Sequence, residues 1–129
     1  MGRKFAWPDD GKRHYYAPNP QSEPEGCGLD IVDSLSEEGL CYEFNDFILW
    51  RDLESGKFYC ASDSGCSCPM PFESCHGIDD LTEVRDEAHL RSEAMEWARP
   101  NDKYPVAKAV EVEELCRKYR DALSPPGVA

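Results

Sequence analysis

The chain has no apolar run approaching the roughly 18 residues that a membrane-spanning helix needs. Its start, MGRKFAWPDDGKRH, holds basic residues but no apolar segment, so a secretory signal is not expected there. Ala6 stands where a myristoylation signal carries Ser or Thr. There is no glycine-rich phosphate loop, no G-x-S-x-G elbow and no H-E-x-x-H, so the sequence offers none of the nucleotide-binding, serine-hydrolase or zincin signatures. C-x-x-C is missing, which removes the usual thioredoxin-like motif. Positive charge is also scarce. Fourteen Lys and Arg stand against 26 Asp and Glu, a net −12 that repels nucleic acid and favours a basic partner.

That charge is unevenly placed. Residues 1–28 carry four acids and four bases; residues 29–78 carry ten acids against Arg51 and Lys57 (net −8); residues 79–129 carry twelve acids against eight bases (net −4). The middle segment is therefore an acidic module with little compensation. Adjacent carboxylates such as Asp79/Asp80 and Glu113/Glu114 are common, but at this acidity such pairs arise by chance, and spacing alone cannot set two of them across a cleft. The seven cysteines are an odd number for a disulfide framework, and they read as reduced thiols in a cytosol.

Residues 1–28 hold Pro8, Pro18, Pro20 and Pro24 and show no helical or strand period. Phe5, Trp7, Tyr15 and Tyr16 are too aromatic for a plain linker, so the segment is expected to be an arm lying on its own core or on a partner. A compact domain over 29–124 and a short tail at 125–129 complete the organisation. Within the domain, Leu29 and Ile31 suggest a short strand, with turn chemistry from Ser34 to Gly39. CYEFNDFILWRD is the strongest strand signal, ESGK at 54–57 is a hairpin connection with Gly56 suited to positive φ, and FYCASD is the returning strand. GIDDLTEV offers another short extended piece. From Asp86, a capping residue, Leu90, Ala94, Trp97 and Ala98 recur at helical spacing. A second helix is expected from Pro105, with Ala109, Val112, Leu115, Cys116, Tyr119 and Leu123 on one stripe. The fold class is α+β: a small antiparallel hairpin or sheet followed by two C-terminal helices.

SDSGCSCPMPFESCH, residues 62–76, concentrates chemistry. Cys66, Cys68, Cys75 and His76 could supply four zinc ligands. The spacing argues against it: C-x-C sets the two sulfurs on one side only if the loop bends, and adjacent Cys75 and His76 diverge in regular backbone. A catalytic thiol needs a depressed pKa and a base within reach, but Asp63, Glu73, Asp79 and Asp80 surround these cysteines and oppose thiolate formation. The third reading is a packing clasp, in which Gly65 turns the chain, Pro69 and Pro71 stiffen it and Phe72 anchors it. No catalytic residue and no required cofactor are assigned; zinc is retained as the one candidate.

The segment SGCSCPMPFE, with Tyr59 and Asp63 before it and Leu81 after it, resembles a family of small proteins of actinobacteriophages that carry an SGCSCPxPFE motif. Cys60, Cys75 and His76 stand outside that pattern. The resemblance implies a phage origin. The resemblance supplies no mechanism; from that origin and the lack of an enzymatic signature, the expectation is a non-enzymatic protein that binds a host or defence protein in the bacterial cytoplasm. A zinc-stabilised module or metalloenzyme and a minor virion component are the alternatives. The expected partner surface is the acidic hairpin: Glu43, Asp46, Asp52, Glu54 and Asp63 for charge, with Trp50, Phe58 and Tyr59 as aromatic anchors. The oligomeric state is not legible.

Overall fold

A computed structural model describes residues 2–7, 11, 13–14, 16–36, 43–66, 71–98 and 105–123; the side chains of residues 43, 66 and 105–108 also lie outside what it describes. After a short 3-10 turn at Pro24–Cys27, the chain forms strands β1 (Leu29–Ser36), β2 (Glu43–Asp52) and β3 (Phe58–Cys66). A 3-10 turn at Ile78–Asp80 leads into the two-residue strand β4 (Thr82–Glu83), then helices α1 (Glu87–Ala98) and α2 (Pro105–Leu123). The four strands lie in the order β1-β2-β3-β4, all antiparallel, so the sheet is a meander followed by two helices, an α+β fold as expected.

Successive side chains of a strand point to opposite faces, and here both faces are covered. Phe47 and Leu49 of β2, with Phe58 and Cys60 of β3, join Leu90, Ala94, Val112 and Leu115 in the core beneath the helices. Ile48 and Trp50, alternating with them, join Phe5, Cys27, Leu29, Phe72, Ile78 and Leu81 in a second core on the other side. Burial on both sides explains why FILW reads as a continuous apolar run instead of an alternating one.

β1 is longer than the sequence suggests, for a physical reason. Its register slips between Ile31 and Asp33. Leu29 and Ile31 serve the second core, whereas Val32 and Leu35 serve the helical one. A bulge of this kind switches which residues face which side, so no single two-residue period runs through the strand. The hairpin connection spans 53–57; Gly56 sits at φ 77° and its N–H donates to the Asp52 carbonyl at 2.8 Å. GIDDLTEV is a 3-10 turn before two strand residues, not one extended piece.

The helices form where their signals are. Asp86 caps α1, its Oδ1 accepting the His89 N–H at 2.8 Å. Pro105 occupies the first position of α2. On α2, Val112, Leu115, Cys116 and Tyr119 are buried, but the stripe is narrower than predicted: Ala109 and Leu123 are exposed, and Ala122 packs against the core instead. Among the described residues no helix is long and apolar enough to cross a membrane.

Candidate functional site

The second core has no helix over it. Its cover is the N-terminal arm and the cysteine loop, and irregular backbone on a buried face must have its polar groups satisfied one by one. The arm pairs with the loop as a short antiparallel bridge, Lys4 opposite Gly77. The Phe5 N–H donates to the His76 carbonyl and the Ile78 N–H to the Arg3 carbonyl, both at 2.8 Å. A Cβ on Gly77 would lie 2.8 Å from the Arg3 carbonyl oxygen, so only glycine lets the two backbones approach this closely. Farther along the arm, the buried Trp50 indole N–H donates to the Pro20 carbonyl at 2.8 Å, and Gln21 Nε2 donates to Asp46 at 3.0 Å. The described parts of the arm therefore pack on their own domain.

Asn19 joins arm to loop. Its Nδ2 donates to the Pro71 carbonyl at 2.9 Å, while its Oδ1 accepts the Gln21 N–H at 2.8 Å. The next loop residue, Phe72, adopts φ 61°, the left-handed region that a bulky side chain rarely enters. Three contacts hold it there. Its N–H donates to Asp63 Oδ2 at 2.7 Å, its carbonyl accepts the Cys75 N–H at 3.1 Å, and its ring stands edge-on to Trp50, 5.4 Å between centroids.

Between arm and loop this arrangement leaves a cavity of about 550 Å³, within the size range of ligand sites. Tyr16, Pro18 and Phe72 give it apolar walls; Glu23, Glu73 and His76 give it polar ones, and Cys75 also lines it. Tyr16 is the most exposed aromatic described, at 85%. A smaller cavity of about 260 Å³ lies beside Arg3 and Glu54, which are already engaged: Arg3 bonds Asp52 and Glu54 at 3.0 Å each and the Cys27 carbonyl at 2.9 Å.

The thiols that line these cavities, Cys27 and Cys75, are held in the protonated form. Burial, with Glu23 nearby, pushes Cys27 up to about 12. Burial, with the charges of Asp80 and Asp63, pushes Cys75 up to about 11. Cys60, deep in the helical core, is likewise raised to about 12 by burial. Thiols raised in this way hold little thiolate at neutral pH.

Of the four zinc candidates, Cys68 and the side chain of Cys66 lie outside the described residues. Cys75 is half-buried and His76 exposed, both on the cavity wall. Among the described residues no group of three or more His, Cys, Asp or Glu is placed to hold a metal ion.

The predicted partner surface on the hairpin requires correction. Trp50 is wholly buried and Phe58 nearly so, because each fills one of the two cores; neither is presented to a partner. Asp46 and Asp52 are buried and bonded to Gln21, Arg3 and Ser55. Asp63 is spent on the Phe72 amide, and Tyr59 packs against the second core. Glu54 is exposed but paired with Arg3, and the side chain of Glu43 is outside the described residues. Sequence reasoning missed Tyr16, Asn19, Glu23 and Glu73 as one site. Their only signals were an aromatic in a proline-rich arm and an acid next to Phe72.

The fold is thus that of a small α+β domain, a four-stranded antiparallel meander with helices on one face and irregular cover on the other. The chain belongs to the family described as "Domain of unknown function (DUF7574)", which it matches over residues 18–122, from the arm through nearly all of α2. No curated protein and no solved structure matches it.

Proposed function

We propose that this chain is a non-enzymatic interaction protein of phage origin that binds a host or defence protein with a basic surface in the infected bacterium. The observation that carries this reading is the charge excess: 26 Asp and Glu against 14 Lys and Arg, a net −12. Arg3, Lys57, Arg91, Arg117, Lys118 and Arg120 are all held in internal ion pairs, with Asp52, Glu54, Glu83, Glu87, Glu113, Glu114, Asp121 and Asp33. Internal pairing does not change the net −12, so the outward field is negative and steers a basic partner. The raised Cys75 thiol adds support, since among the described residues of the cysteine loop it leaves no ready nucleophile.

The test is capture from lysate of an actinobacterial host at low and at moderate salt. A partner held at low ionic strength and released at moderate strength is the expected result. Retention that ignores salt, or no partner at either strength, overturns the electrostatic reading. A zinc-stabilised module is a second reading, kept because Cys75 and His76 line one cavity and Cys66 and Cys68 precede them closely in the sequence. Native mass spectrometry of reduced protein decides it: a mass excess of one zinc, lost together with folding on chelation, establishes the metal.

A further inference from the structure

We infer that the cavity between arm and loop is a receptor for an arginine side chain of the protein partner. This assignment deepens the interaction reading above and rests on it. The cavity has the three features that a guanidinium group on an aliphatic stem would use. Tyr16 stands at its edge with its ring exposed, a flat surface on which a guanidinium stacks through cation–π attraction. Pro18 and Phe72 provide apolar wall for the methylene stem. Glu23 and Glu73 provide carboxylates on the lining, and Glu73 has no ion-pair partner among the described residues. Glu23 accepts the Asn19 N–H at 3.3 Å and keeps lone pairs for a further donor.

The walls are also pre-organised. Asn19 ties the arm to Pro71, and Asp63 and Trp50 fix Phe72 in its left-handed conformation, so little ordering remains to be done on binding. Charge selects against the other common occupants. Nucleic-acid phosphates and acidic peptides meet Glu23 and Glu73 in the cavity and a net −12 around it. Lysine satisfies the charge, but its compact ammonium lacks the planar fork that can stack on Tyr16 while bonding a carboxylate edge-on.

The experiment is an amide NMR titration of the full chain at low salt with the blocked peptide acetyl-Gly-Arg-Gly-amide and with its citrulline counterpart, which keeps the shape but not the charge. The arginine peptide is expected to shift the amides of Ala17, Asn19, Glu73, Cys75 and His76, and the citrulline peptide to bind at least about five-fold more weakly. Glu73→Gln and Tyr16→Ala are each expected to weaken the arginine peptide by about two- to five-fold. Both side chains are exposed, so the variants should fold, and their undisturbed amide spectra check this. Equal binding of the two peptides, shifts confined to α1 and α2, or parent-like affinity in both variants overturns the assignment. Salt-sensitive capture of a partner that both variants leave unchanged removes the cavity but keeps the interaction reading. An arginine-selective cavity in a chain that captures no partner does the reverse.

Discussion

One face of the sheet is covered by two helices and the other by an arm and a loop without regular structure, and the two covers are held by different physics. The helices satisfy their own backbone and need only present apolar side chains, which Leu90, Ala94, Val112 and Leu115 do. Several of their charged residues pair on the outside, Arg91 and Arg120 with Glu87, Arg91 with Glu113, and Arg117 with Glu114 and Asp121. The irregular cover cannot satisfy itself. It borrows polar groups from the sheet and from its own side chains: the Trp50 indole for Pro20, Asp63 for Phe72, Asn19 for Pro71, Asp80 for His76 and Gly77. That is why the acids of the hairpin are consumed internally, and why the cavity lies on this side.

Adjacent residues of β2 break the comparison most severely. Leu49→Ala removes an anchor of the helical face and Trp50→Ala one of the arm face; each should cost about 3–5 kcal/mol, read by denaturant unfolding. Hydrogen exchange separates them. In Trp50→Ala the Phe5, Cys75 and Ile78 amides, which bond within the arm and loop, should lose more protection than those of α2. Parallel losses on both faces would mean that the two covers open as one unit.

Gly26→Ala tests the arm cover alone. The new Cβ would lie 2.7 Å from both the Pro18 Cβ and the Trp7 ring. One methyl group forced between arm segments should cost about 2–3 kcal/mol, since the ring and the proline are both braced. Trp7 Nε1 donates to the Tyr16 carbonyl at 3.0 Å, so Trp7 cannot retreat freely. A neutral outcome in thermal unfolding would show that the arm packs more loosely than its hydrogen bonds imply.

The same contrast decides what could be read in advance. The helical half was legible because it is periodic: Asp86, Leu90, Ala94 and Trp97 on α1, and Val112, Leu115, Cys116 and Tyr119 on α2, mark face and start by spacing alone. The central hairpin was legible from its β-branched and aromatic content. β1 was half legible, since the bulge after Ile31 moves Leu35 to the other side and erases the alternation. The arm face has no period, because the contacts that fasten arm, loop and sheet together join residues far apart in the chain: Phe5 with His76, Asn19 with Pro71, Trp50 with Pro20. Such pairings leave no local trace, so Trp50 and Asp52 looked like surface groups and the cavity did not exist in sequence.

Asp52 sharpens the comparison through pH. Burial alone would raise its carboxyl, but hydrogen bonds from the Ser55 hydroxyl and the Arg3 guanidinium outweigh it and hold the group below the ordinary carboxylate range. A folded value below the unfolded one means that this stabilisation is present above about pH 4, the unfolded value, and is lost as pH falls through the folded value. Asp52→Asn should cost about 1–2 kcal/mol at neutral pH, because Arg3 keeps Glu54 as a partner. It should also flatten the acid limb of the stability curve. An acid limb as steep as that of the parent would place the arm's pH dependence elsewhere.

The smallest effect belongs to the outside of the helical cover. Arg91 on α1 bonds Glu87 at 2.9 Å and Glu113 of α2 at 2.8 Å, and Arg120 bonds the same Glu87 at 2.8 Å. The bonds hold Glu87 and Glu113 below their ordinary range and Arg91 above its own. All of these side chains have ready access to water, where screening and side-chain entropy cancel most of the attraction. Arg91→Gln should therefore cost less than about 1 kcal/mol at low salt, and the difference should vanish as salt is raised. The same measurement on Arg3→Gln, which reaches the buried Asp52 carboxylate and the Cys27 carbonyl, should leave a residue that salt does not remove, because those partners are shielded from ions. If Arg91 instead behaved like Arg3, charge and not the apolar stripe would be fastening the helices, and the two covers would differ in shape but not in how they are held.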